Sequence, residues 1–191
     1  NGIMLAALAY QVAYEYQWGN RTVSRKYQTW AEATAEWLLG MQEVDARRWG
    51  YGRFYDDELR YTESTVSNEF AVFGLTTYCR AIGSPVHDPV PSFETVRNAL
   101  TLWADSFMRK MLDDFGGPYS HCSAAGTTEY PKEALAAAGV MRAFVEIWII
   151  HGDTRYWTQA ADTYEWLTGD NTENLDFQGA ASRKGKVGGF Y

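Results

Sequence analysis

Two short segments hold most of the side chains capable of chemistry. Residues 61–69 read Tyr-Thr-Glu-Ser-Thr-Val-Ser-Asn-Glu, and residues 127–133 read Thr-Thr-Glu-Tyr-Pro-Lys-Glu. Each combines carboxylates, hydroxyls and a tyrosine. Glu63, Glu69, Glu129 and Glu133 are therefore the acid/base candidates, because cleavage of a glycosidic bond needs two carboxylates flanking it. Each Glu taken alone also fits a plainer role, complementing a helix dipole or completing a capping box. His121 lies in a long loop and has a side chain able to move a proton near neutral pH; a surface role competes. Tyr51, Tyr55, Asp56 and Asp57 set aromatic faces beside carboxylates, which suits stacking on a sugar ring and hydrogen bonding to its hydroxyls. The alternative there is a solvated loop with its aromatics folded onto the core. Tyr61, Asn68, Tyr119 and Tyr130 complete the expected binding set.

Metal and cofactor chemistry is not expected. Asp113 and Asp114 precede Gly116-Gly117, but no convergent oxygen ligands follow at calcium-loop spacing, and a helix-terminating turn fits them better. The chain carries no nucleophile elbow, phosphate-binding Gly loop, dinucleotide fingerprint or metalloprotease helix.

The elements that must position these residues come from a repeat. Three very apolar stretches end at Gly19, Gly83 and Gly152. Each is followed by an aromatic residue and, ten positions on, by a Trp: Tyr27/Trp37, Phe93/Trp103 and Tyr156/Trp166. A long loop with a Gly and aromatic signature comes next, as in Trp49-Gly50-Tyr51, Phe115 to Tyr119 and Gly188-Gly189-Phe190-Tyr191. The step from Trp to Gly is 13 residues in the first two repeats. The repeats run over about 1–65, 66–130 and 131–191.

Each repeat reads as a helical hairpin. The first helix is apolar on most faces (Ile3 to Tyr16, Phe70 to Ile82, Ala134 to Ile150) and so belongs inside. The second is amphipathic, with Tyr27, Trp30, Ala31, Thr34, Trp37, Leu38 and Met41 as the buried stripe of repeat one. Phe93, Val96, Leu100, Trp103, Phe107 and Met111 form that of repeat two. Ser92 and Asp153 are expected N-caps, Pro131 a first-turn residue, and Gly19, Gly83 and Gly169 helix ends. His151 reads as a cation at a helix C-terminus. Strand signals are nearly absent. Buried helices alternating with covering ones predict an all-α fold, three hairpins forming half or part of an (α/α) toroid. The long loops then gather on one face, where function usually sits.

Composition bounds the partners. The chain has 191 residues, one domain's worth, with Lys plus Arg 17 against Asp plus Glu 24 and a net charge of −7. An acidic chain without basic runs argues against a nucleic-acid or anionic-membrane surface. Aromatic residues reach 16%, including 8 Trp, more than packing usually needs. Ala134 to Ile150 is interrupted by Arg142 and Glu146, which argues against a membrane span. Gly2 to Tyr10 lacks the basic flank and cleavage site of a signal peptide. Position 1 is Asn, so a processed, trimmed or excised chain is expected. Cys79 and Cys122 fall at opposite ends of a hairpin and are not expected to pair.

Some of these residues resemble a known group. The run His151-Gly152-Asp153-Thr154-Arg155-Tyr156, with Glu165-Trp166-Leu167 at the helix end, is similar to a hairpin of the α/α-toroid carbohydrate enzymes, the six-hairpin glycosidases and the N-acylglucosamine 2-epimerase-like proteins. Met111-Leu112-Asp113-Asp114-Phe115-Gly116-Gly117-Pro118-Tyr119 and the closing Gly-Gly-Phe-Tyr resemble the latter's Asp-rich loop. The resemblance implies a substrate funnel at the inner-helix N-termini. It implies a carbohydrate-active enzyme working by general acid/base catalysis, with glycoside hydrolysis first and epimerase or lyase action next. A non-catalytic module binding glycan or protein is the alternative. So is a terpenoid-cyclase-like toroid, on the single match Trp37-Leu38-Leu39-Gly40-Met41-Gln42 with Trp49-Gly50. Such toroids use about six hairpins and this sequence supplies three. A homodimer, or the remainder of a longer chain, is the expected complement.

Overall fold

A computed structural model of the chain describes residues 1–55, 65–82, 89–122, 128–129 and 132–169. The expected helices form: α1 (Gly2–Trp18), α2 (Arg21–Gly40), α3 (Thr65–Ile82), α4 (Phe93–Leu102), α5 (Arg109–Met111), α6 (Ala134–His151) and α7 (Thr154–Thr168). Their ends follow local chemistry. The Asn20 side chain accepts from the amides of Thr22 (2.8 Å) and Val23 (3.4 Å), Ser92 from Thr95 N and Asp153 from Arg155 N, as N-caps do. Gly152 ends α6 in the left-handed conformation at φ 72°, where a side chain would be strained. Gly83 and Pro131 lie outside the described residues.

The fold is all-α, three hairpins in a curved row with the apolar helices inside. α3 packs between α1 and α6, and α2 and α7 cover α1 and α6 from outside. Close approach of the inner helices needs small residues. A Cβ on Gly2 would overlap the Phe70 carbonyl, and one on Gly74 the Gly2 carbonyl. The core between the layers is built on Leu5, Leu75, Trp103, Phe144 and Ile147, all buried. The flank of α1 turned away from α3 keeps Ile3, Tyr10, Tyr14 and Trp18 more than half exposed (Trp18 74%). α6 is long and apolar enough to cross a membrane by length and composition; here it is an inner helix of the stack.

Four details differ from the sequence reading. First, the buried stripe of α2 runs through Ser24, Gln28, Ala31, Thr34, Ala35 and Leu38. Trp30 lies outside it, 47% exposed, with the Lys26 ammonium 5.0 Å from its ring. Polar residues hold the stripe because each finds a partner: Ser24 donates to the Val12 carbonyl and Thr34 to that of Trp30. Second, the helix of repeat two widens into a π-helical turn over Trp103–Met108, which brings Ala104 and Met108 inside together with Trp103 and Phe107. Third, a short antiparallel pair forms, β1 (His121–Cys122) with β2 (Thr128–Glu129). Fourth, His151 stands in the last turn of α6 as expected, but its surroundings disfavour the charged form. Its ring packs against Tyr156, and burial, with Arg97 adding, holds its pKa below the usual histidine value. Cys79 and Cys122 are not joined in a disulfide.

Candidate functional site

Two long loops converge on the N-terminal end of α3. The first, residues 41–55, folds on itself and onto α4. Gln42 Nε2 donates to the carbonyls of Gly52 (2.9 Å) and Ala99 (2.8 Å). Gly52, at φ 96°, lies so near the Leu102 carbonyl that a Cβ would overlap it. Inside this loop Glu43 is buried. Its carboxylate accepts from the Tyr55 hydroxyl, from Arg48 Nη1 at 3.0 Å and from the Asp45 amide at 3.0 Å. Burial pushes the Glu43 pKa up, but those donors and the Arg48 charge hold it below the usual value. The Arg53 guanidinium stacks 4.5 Å over the Tyr55 ring.

The second loop, residues 112–122, turns on Asp113. Its Oδ1 accepts from the amides of Phe115 (2.9 Å) and Gly117 (2.8 Å), an Asx turn of the kind that ends helices. Its Oδ2 meets the Lys132 ammonium. Both side chains of this pair are buried, Lys132 at 2% and Asp113 at 8% exposure. Burial raises the Asp113 pKa, and Lys132 with the Gly117 and Phe115 amides outweighs it. The ammonium also lies 4.9 Å from the Tyr119 ring and 6.0 Å from that of Trp166.

α3 ties the two loops together. The Thr65 amide donates to the Ser120 carbonyl at 2.9 Å, and its hydroxyl to that of Tyr119. Asn68 accepts from the Phe54 amide (2.7 Å) and donates to the Phe54 carbonyl (2.9 Å), replacing a strand neighbour for that residue. One position on stands Glu69, 3% exposed, turned toward α6. Gly139 makes room for it: a Cβ there would coincide with the carboxylate. Oε2 of Glu69 is buried and has no hydrogen-bond partner among the described residues. Burial pushes the Glu69 pKa up to about 7, partly opposed by the charge of Arg142. The Arg142 guanidinium carbon lies 4.2 Å from the centre of the Phe73 ring, and its buried Nε also finds no hydrogen-bond partner among the described residues.

The expected site residues separate accordingly. Asn68, Glu69, Tyr55 and Tyr119 come together around the α3 N-terminal end. Tyr55 is buried with its hydroxyl on Glu43, and Asn68 is committed to Phe54, so both act as struts of the loop. Tyr51 is half-buried, and Tyr119 offers a half-buried ring. Glu133 is the N-cap residue of α6 and its side chain makes no capping hydrogen bond, while α3 has no acidic residue in its first turn, which places Glu69 beyond it. His121 is exposed, its Nδ1 3.1 Å from Ser120 Oγ. Asp56, Asp57, Tyr61, Glu63 and Tyr130 lie outside the described residues, as does the Glu129 side chain. The sequence reading missed Glu43, Arg48, Lys132 and Arg142. Only Arg142 left a signal, a charge in the middle of an apolar helix. Among the described residues no three His, Cys, Asp or Glu side chains gather as a metal site.

The chain is similar in structure to the cellobiose 2-epimerase of Spirochaeta thermophila, with a TM-score of 0.59 and 16% identity. The fold is all-α and matches part of that protein's α/α toroid. The match covers 88% of this chain and 43% of the epimerase, so the chain spans less than half of that protein's length. No family model and no curated protein matches it. The inner row α1, α3, α6 is thus an arc of the toroid's inner ring, and Glu69 sits on the seam between two of its inner helices.

Proposed function

We propose that this chain belongs to a carbohydrate-active enzyme in which Glu69 moves a proton to or from a sugar. One observation carries the reading. A carboxyl group at the loop end of an inner helix is buried, has an unpartnered oxygen and titrates at about 7. A group poised near neutral pH serves equally as acid and as base. The likeness to a sugar epimerase supports a sugar as substrate and favours epimerisation, in which a proton leaves one face of the carbon and a proton is delivered to the opposite face; Glu69 is proposed for one of these transfers, and the other needs a second proton carrier or rotation of the intermediate. Hydrolysis requires a second carboxylate across the scissile bond; Glu133, Glu63 and Glu129 are the candidates. Tyr119 and Tyr51 are the rings proposed to stack on the sugar, and His121 an auxiliary proton carrier.

The test is incubation with cellobiose and other reducing disaccharides in D2O, followed by NMR. Deuterium entering the sugar at C2 with a new epimer marks epimerisation; release of monosaccharide marks hydrolysis. Glu69→Gln is expected to lower either rate by about 100-fold or more while the circular dichroism spectrum stays unchanged. A Glu69→Gln variant as active as the parent, or a parent without product from any sugar, refutes the proposal.

A further inference from the structure

The seam between α3 and α6 carries two acid/base combinations, and only one of them closes. Arg80 of α3 meets Glu146 of α6 at 2.6 Å. Nearer the loop face, Glu69 of α3 and Arg142 of α6 face the same seam without forming an ion pair or hydrogen bond to any described residue. Phe73 follows Glu69 by one helical turn, and the Arg142 guanidinium carbon lies 4.2 Å from the centre of its ring, close enough for its charge to be felt at Glu69. A buried N–H without an acceptor weakens a fold, and an apolar side chain of the same length would not. Arg142 is half-buried; packing accounts for its stem but not for the N–H it buries, in a helix otherwise apolar enough to cross a membrane.

We propose that Arg142 is a binding residue of the Glu69 site, its guanidinium donating to an oxygen of the sugar on which Glu69 acts. The inference rests on the sugar-active reading above. The chemistry is complementary. Arginine has N–H donors and no acceptor, while a carboxyl group accepts from a hydroxyl or donates to an ether or carbonyl oxygen. A polyhydroxylated ligand offers both kinds of atom. A guanidinium beside an aromatic ring presents its donors as a planar fork, which a lysine ammonium does not reproduce.

The experiment pairs two measurements on the parent, Arg142→Met and Arg142→Lys. Thermal unfolding without ligand asks whether Arg142 supports the fold. Calorimetric titration with cellobiose asks whether it binds. The expected result is a Tm in Arg142→Met equal to or above the parent's, with a Kd for cellobiose raised about tenfold or more, as loss of a charge-assisted hydrogen bond implies. Arg142→Lys is expected to fall between the two. A Tm lowered by several degrees assigns Arg142 to the fold and overturns the inference. So does a Kd equal to the parent's. A parent that binds neither cellobiose nor any other sugar tested fails at the earlier step, the sugar-active reading, and the inference falls with it.

Discussion

Glu69 makes the stability of this protein depend on pH in a calculable way. In the unfolded chain its carboxyl titrates near the ordinary 4.5; in the fold it titrates at about 7. Below pH 4.5 both states hold the proton and nothing differs. Between 4.5 and 7 the unfolded state has released its proton and the folded state has kept it. The folded state then binds more protons, so the free energy of unfolding falls as pH rises. Each tenfold change in proton affinity is about 1.4 kcal/mol, which makes the whole loss about 3 kcal/mol, complete by pH 8. Glu69→Gln removes the titration. Urea unfolding at pH 4.5, 5.5, 6.5 and 8, followed by tryptophan fluorescence, gives the difference between parent and variant, in which every other titrating group cancels. Relative to the variant, the parent is expected to lose about 3 kcal/mol across that range and then level off. A difference that stays flat from pH 4.5 to 8 would mean a solvated or neutralised carboxyl, and would refute the reasoning about its seat against Gly139.

Three further outcomes are expected. Gly139→Ala places a methyl group where the Glu69 carboxylate lies; that flexible end must move, so the pH profile of activity should shift toward the ordinary carboxylate value, with turnover down about tenfold and little change in Tm. Lys132→Met strands Asp113 as a buried carboxylate, destabilising the fold by about 3–5 kcal/mol in urea, and adding Asp113→Asn should recover most of the loss. The bare flank of α1 is expected to be covered by another hairpin in solution: light scattering combined with intact mass should give about twice 21.6 kDa if a second copy supplies it, an intact mass above 21.6 kDa if the same chain does, and a 21.6 kDa monomer refutes both.

The helices were legible in the sequence because each is a local device. Periodic apolar residues, a capping Ser or Asp and a terminating Gly act within a few positions of one another, so α1, α3 and α6 read as inner helices and α2, α4 and α7 as their covers. The gathering of the long loops at the inner-helix N-termini followed from that alternation, and it singled out Glu69 and Asn68. Tertiary structure decided what those residues do. Asn68 and Glu69 are adjacent in sequence and equally polar. One finds the backbone of Phe54 within reach and becomes a strut; the other meets Gly139, 70 positions away, and is left buried with an unpartnered oxygen. Arg142 and Lys132 read alike as cations, yet Lys132 meets Asp113 while Arg142, among the described residues, lies on Phe73 and acts on Glu69 through its charge alone. Burial and the identity of the nearest opposite charge set the proton affinity of a side chain, and both are properties of residues brought together from distant parts of the chain, which no local pattern records.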